Sequence, residues 1–116
     1  MKRQEAERRG RRAEAVAAWW LRLWGWRILD RRVRTPLGEV DLVARRGRTV
    51  AFVEVKSRAR PVDLALAVDR NRLMRVANAA HMLSHRFADR RDVIRIDVVL
   101  VGPWQLPVHL KNVWHG

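Results

Sequence analysis

The sequence predicts an α/β fold: a mixed β-sheet flanked by helices, with elements in the order αβββαβ. Three observations carry this. Apolar residues between Ala13 and Trp24 recur at helical spacing, two β-rich runs (Glu39–Ala44 and Thr49–Lys56) flank the short segment Arg45-Arg46-Gly47-Arg48, and a long helical stretch precedes one further strand. With 116 residues and a 48% hydrophobic fraction, the chain has material for one core, so a single domain over residues 1–116 is expected.

The elements follow in order. Residues 1–12 are charge-dense and read as a basic, flexible arm or as the first turns of a helix. Ala13, Val16, Ala17, Trp20, Leu21 and Trp24 then form an apolar stripe that ends at Gly25. Trp20 and Trp24 are expected in the core, base stacking being the alternative. Arg22 interrupts the apolar patch and no small-residue cleavage site follows, so this is an amphipathic helix rather than a secretory signal. Trp26–Arg34 is the first strand, with Ile28 pointing inward, and Thr35-Pro36-Leu37-Gly38 is a turn. The two hairpin strands come next, then a basic loop from Ser57 to Pro61. A helix over about Leu66–Phe87 presents Leu73, Val76, Ala77, Ala80, Leu83 and Phe87 on one face. Val93–Val101 is the last long strand, and the tail Val108–Trp114 is expected to add a short edge strand.

Charge narrows the function classes. There are 25 basic against 12 acidic residues, a formal net charge of +13. Arginine-rich composition explains arginine in place of lysine but not the excess over acids. Such a field favours a polyanion, and nucleic acid is the leading partner; ribosomal RNA or an anionic membrane surface are the other readings. No stretch approaches the roughly 18 apolar residues of a membrane span. The lack of cysteine removes disulfides and thiolate metal sites and suits a cytoplasmic protein.

The residues with chemical potential lie on the hairpin. Glu54 and Lys56 are two apart and share a strand face among Phe52, Val53 and Val55, where charges are costly unless paired or used. With Arg46-Gly47 as the turn, Arg45 pairs with Arg48, Asp41 with Phe52 and Glu39 with Glu54. Glu39, Asp41, Glu54 and Lys56 then share a face, with Asp41 diagonal to Glu54; a shift by one residue would separate them. Two carboxylates so placed suit Mg²⁺ or Mn²⁺, which accept oxygen ligands and phosphate. Lys2, Lys56 and Lys111 are the only lysines, and lysine titrates near neutrality when perturbed whereas arginine does not. On spacing alone, a solvated cross-strand charge cluster and a chemical site both remain open.

The segments Gly38-Glu39-Val40-Asp41-Leu42-Val43-Ala44 and Val53-Glu54-Val55-Lys56-Ser57-Arg58 resemble the YraN-type family of uncharacterised bacterial proteins (uncharacterised protein family 0102). That family is grouped with the restriction-endonuclease-like PD-(D/E)XK nucleases, relatives of the Holliday-junction resolvases. The resemblance implies a restriction-endonuclease-like core and an Mg²⁺-dependent endonuclease acting on DNA, including structured or branched DNA. A non-catalytic nucleic-acid-binding protein with that fold is the alternative. It further implies that Asp41 and Glu54 are metal ligands assisted by the Val55 carbonyl, that Lys56 is catalytic, and that Glu14 is a helix-borne acid contributing to the metal. Glu39 matches a family position that either binds a second metal or holds Lys56. The chain departs from the family at Ala13, where glycine is usual, and at Arg72-Leu73, where a lysine–glutamine pair is usual.

Arg58, Arg60, Arg70, Arg72 and Arg75 follow the hairpin and suit backbone phosphates. His81 and His85 share a helix face but lack a companion acid motif, so packing or surface roles are expected. Asp97 is read as a supporting acid or as a sheet-edge charge paired with an arginine. A symmetric dimer would let two sites act on two strands.

Overall fold

In a computed structural model that describes residues 2–57 and 69–115, the chain forms two helices and a five-stranded mixed sheet. Helix α1 spans Lys2–Leu23, and the strands β1 (Arg27–Thr35), β2 (Gly38–Arg46) and β3 (Thr49–Ser57) follow. Helix α2 (Arg70–Phe87) leads to β4 (Val93–Val101) and the short β5 (Val108–Leu110). The predicted α/β order αβββαβ is the one observed, with β5 as the expected edge strand. The layout is compatible with a nuclease-like core.

The strands lie in sequence order across the sheet. Neighbours pair antiparallel except β3 and β4, which are parallel and therefore need a crossover; α2 lies on it. The helices cover opposite faces. Val50 and Phe52 join Leu73, Val76, Ala80 and Leu83 beneath α2, whereas Ala51 and Val53 join Ala17, Ala18 and Leu21 beneath α1. All six residues of the stripe expected for α2 are thus buried or packed against the core. The helix begins at Arg70 because the Asp69 carboxylate caps it, accepting from the Asn71 and Arg72 amides at 2.9 and 3.4 Å. Residues 66–68, expected as its first turn, lie outside the described residues.

The stripe expected for α1 is only partly the buried one. Ala13, Ala17, Ala18 and Leu21 are buried, but Val16 and Trp24 are exposed and Trp20 is half-buried. Side-chain size is the reason. Ala17 and Ala18 share one buried cluster with Ala44 and Ala51, and the larger Trp20 and Trp24 side chains of the helix lie to its flank. Helix α1 ends in a glycine cap. Gly25 has φ +87°, and the Gly25 and Trp26 amides donate to the Arg22 and Leu21 carbonyls at 3.0 Å. That turn drops Trp26 onto Leu21 in the core.

The hairpin register differs from the expected one. Arg46 pairs with Thr49 and Val43 with Phe52, so the turn residues are Gly47 and Arg48. Gly47 has φ +61°, and a left-handed glycine at the first turn position matches the right-handed twist of the strands. Each cross-strand partner is therefore displaced by two residues, and a displacement by two preserves the faces.

Candidate functional site

The β2–β3 ladder runs from Arg46–Thr49 to Leu42–Val53. One residue further, Asp41 stands across from Glu54, not diagonal to it as the expected register had it. There a side chain takes over from the backbone: Asp41 Oδ2 accepts the Val55 N–H at 2.8 Å. Glu54 and Lys56 follow on the α2 face and are both buried, at 4% and 5% exposure. Burial of two charges on one strand requires compensation. Glu54 Oε1 lies 2.8 Å from Arg72 Nε and 3.8 Å from Lys56 Nζ. Its other oxygen, Oε2, is buried with no hydrogen-bond partner among the described residues.

Asp41 is in an unusual electrostatic position. Burial pushes its carboxyl up to about 6; the Val55 N–H opposes this, and the nearby carboxylates Glu14, Glu54 and Glu39 add to it. Glu14 approaches from α1, where its Oε1 accepts from Arg32 Nε at 2.7 Å. Glu39 does not pair with Glu54 in the observed register. It pairs with Arg34 on β1, its Oε2 lying 3.9 Å from Arg34 Nε in an exposed contact. Gly38, Glu39, Asp41, Glu54, Arg72 and Arg75 line a cleft of about 190 Å³.

Helix α2 comes close at this point for a steric reason. A Cβ on Gly38 would stand 2.8 Å from the Arg75 carbonyl oxygen, so glycine lets the helix backbone rest on the start of β2. Arg72 and Arg75 are thereby held over the carboxylates. Arg70 lies instead over the Trp114 ring, 5.2 Å from its centroid. Arg58 and Arg60 lie outside the described residues.

One participant had no sequence signal. Arg32 faces the site from β1 with φ +51°, a left-handed conformation that a bulky side chain rarely adopts. It lies between the Arg31–Leu42 and Val33–Val40 pairs, beside Asp41, and its guanidinium holds Glu14.

The other candidates resolve simply. His81 and His85 are exposed on α2. Asp97 is fully buried on β4, between β3 and β5, so it is not at a sheet edge as expected, but it does pair with an arginine: Arg95 donates to both its oxygens at 3.1 and 2.8 Å, with His109 Nε2 at 2.7 Å and the Asn112 amide at 2.9 Å.

Among the described residues, no three His, Asp or Glu groups gather closely enough to hold a metal by themselves. The donor set nonetheless fits a hard cation. Glu54 Oε2 is a buried acceptor without a partner among the described residues, Asp41 resists ionisation beside other carboxylates, and magnesium commonly takes only one or two carboxylates and keeps its waters.

Fold and cleft together define a small, basic α/β protein with an acid–lysine cluster where two strands part. The chain belongs to the Uncharacterised protein family UPF0102, whose profile it matches over residues 13–101. It is 66% identical over 114 residues to a UPF0102 protein of Sphingopyxis alaskensis, covering 98% of both chains. A UPF0102 protein of Rhizorhabdus wittichii is 60% identical over 115 residues, with 99% of this chain and 98% of the relative covered. One from Caulobacter vibrioides is 45% identical over 114 residues, covering 96% and 90%.

Proposed function

We propose that this protein is an Mg²⁺-dependent endonuclease, with Mn²⁺ as a substitute, that hydrolyses phosphodiester bonds of DNA in the cytoplasm. The observation that carries the proposal is the buried Glu54, with one oxygen unpartnered among the described residues, across from Asp41 and beside the buried Lys56. Asp41, Glu54 and the Val55 carbonyl would hold the metal, with Glu14 as an additional acid. When bound, such a metal polarises the phosphoryl group and lowers the pKa of water. Lys56 places an ammonium where charge develops on the phosphate in the transition state. Arg72 and Arg75 give the cleft cations for the backbone phosphates. Branched or structured DNA is the expected substrate from the resemblance to resolvases, and a symmetric dimer would engage two strands.

The test is a cleavage panel of linear, flapped and four-way DNA in Mg²⁺ or Mn²⁺. Wild-type protein should cut at least one substrate, and Asp41→Asn and Lys56→Ala should abolish cutting while leaving binding largely intact. Failure to cut any substrate with either metal would sink the enzymatic reading. A second reading, a nucleic-acid-binding module without turnover, draws on the ion pairs that already engage Glu54 Oε1. It would be favoured by tight, salt-sensitive binding without cleavage.

A further inference from the structure

A second cavity, of about 350 Å³, lies on the sheet face covered by α1, away from the carboxylate cleft; Trp20, Trp24, Trp26, Arg46, His109 and Lys111 are among its lining residues. Its volume is in the usual range for small-ligand sites, about 300–1,000 Å³. Among the described residues, no acidic side chain lines it. Trp26 is only 3% exposed, with the Arg46 guanidinium 4.8 Å and the Arg95 guanidinium 5.4 Å from its ring centroid. Its indole Nε1 is a buried donor with no acceptor among the described residues. Trp24 is 59% exposed and meets Trp20 edge-on at 6.0 Å, while Arg46 Nη1 pins the Trp24 carbonyl at 3.2 Å.

The exposed Trp24 indole beside Arg46 and Lys111, with no carboxylate among the described lining residues, makes a surface for a flat, acceptor-rich, anionic ligand. The net charge of +13 makes nucleic acid the matching polymer. We propose that this cavity is a subsite for an unstacked nucleobase of a single-stranded or splayed nucleic-acid segment. The base stacks on Trp24, and Arg46 and Lys111 face its phosphate. Double-stranded DNA has no free base to offer, so the subsite distinguishes opened from continuous duplex. A membrane surface is the poorer fit because the site is concave, whereas an interfacial helix inserts a projecting apolar face. The proposal rests on the nucleic-acid part of the function proposed above, not on cleavage.

The experiment is metal-free fluorescence anisotropy with a labelled single-stranded oligonucleotide, the same sequence as a duplex, and a four-way junction. Wild type, Trp24→Ala, Trp24→Phe and Lys111→Gln are compared. Loss of one stacked base corresponds to roughly a 5- to 150-fold change in affinity. Trp24→Ala should weaken single-strand and junction binding by about tenfold or more, with little change for the duplex. Trp24→Phe should restore most of it, and Lys111→Gln should weaken single-strand binding with the fold undisturbed. Unchanged single-strand binding in Trp24→Ala would overturn the subsite, as would an equal loss on duplex. Loss of binding to phosphatidylglycerol vesicles with nucleic-acid binding intact would assign the surface to lipid and overturn it too. A wild type that binds single strands through Trp24 yet never cleaves leaves the subsite standing and removes the nuclease. A wild type that binds no nucleic acid removes both.

Discussion

At the scale of single residues, the cluster is held by compensation that is close to complete but not fully so. Among the described residues, Glu54 Oε1 has Arg72 and Lys56, Glu14 has Arg32, and Asp41 has the Val55 N–H. Because the Asp41 pKa is raised to about 6 from 3.8, the folded protein binds that proton more tightly than the unfolded chain. Ionisation therefore costs stability as pH rises from about 4 to about 6, and the full cost is present at pH 7. Asp41→Asn keeps an acceptor for Val55 and removes the charge. In metal-free urea titrations it should stabilise the protein by roughly 2 kcal/mol at pH 7 and by little at pH 4. Equal effects at both pH values would contradict the burial of this carboxylate. Part of this was legible in the sequence. The shared face of Asp41, Glu54 and Lys56 followed from strand alternation, which a two-residue error in register leaves intact. Arg32 was not legible, because nothing in its sequence context announces an arginine in the left-handed region.

At the scale of elements, close backbone approach and one buried ion cluster set the geometry. Gly38→Ala forces a methyl against the Arg75 carbonyl. It should destabilise the fold by about 1–3 kcal/mol. A thermal melt and a DNA-binding titration check this, and a variant with unchanged Tm would show that α2 yields freely. Asp97 ties β4 to β5 and the tail through Arg95, His109 and Asn112. Burial pushes its carboxyl up, but the hydrogen bonds from His109, Arg95 and Asn112 outweigh that and hold it below 3.8. Its contribution is present above about pH 4 and is lost as pH falls through the lower folded value. Asp97→Asn, which leaves Arg95 without its ion pair, should cost roughly 3–5 kcal/mol at pH 7. The deficit relative to wild type should shrink in unfolding experiments below pH 4, and a pH-independent deficit would contradict it. The helix on the α1 side shows where periodicity misleads: a hydrophobic stripe ranks residues by polarity, whereas the cluster with Ala44 and Ala51 takes in the small Ala17 and Ala18 and leaves Val16 and Trp24 exposed. The turn at Gly47 was misplaced by one residue because Arg46-Gly47 and Gly47-Arg48 are both plausible turn pairs, and the backbone twist decides between them.

At the scale of the whole molecule, the net charge of +13 dominates encounters with other macromolecules. If four or more phosphates are neutralised on binding, the logarithm of DNA affinity should fall with the logarithm of salt at a slope of about −3.6 or steeper. A slope near zero in a salt titration would remove nucleic acid as the partner. Among the described residues, no helix is long and apolar enough to cross a membrane. The α/β order was readable because the helical and strand periods differ sharply along the chain, and the parallel pairing of β3 with β4 follows from the helix between them.

The hydrogen bond from the Val55 amide to Asp41 makes one rung of the sheet depend on the charge of a side chain. The proton on that nitrogen is therefore a built-in reporter. Its protection against exchange with deuterated solvent, taken relative to the intrinsic rate at each pH and followed by NMR, should fall as Asp41 is protonated below about pH 6. An ion that competes for the carboxylate should move the same resonance. Occupancy of the cleft can then be followed at a single backbone position, without a label and without a reaction.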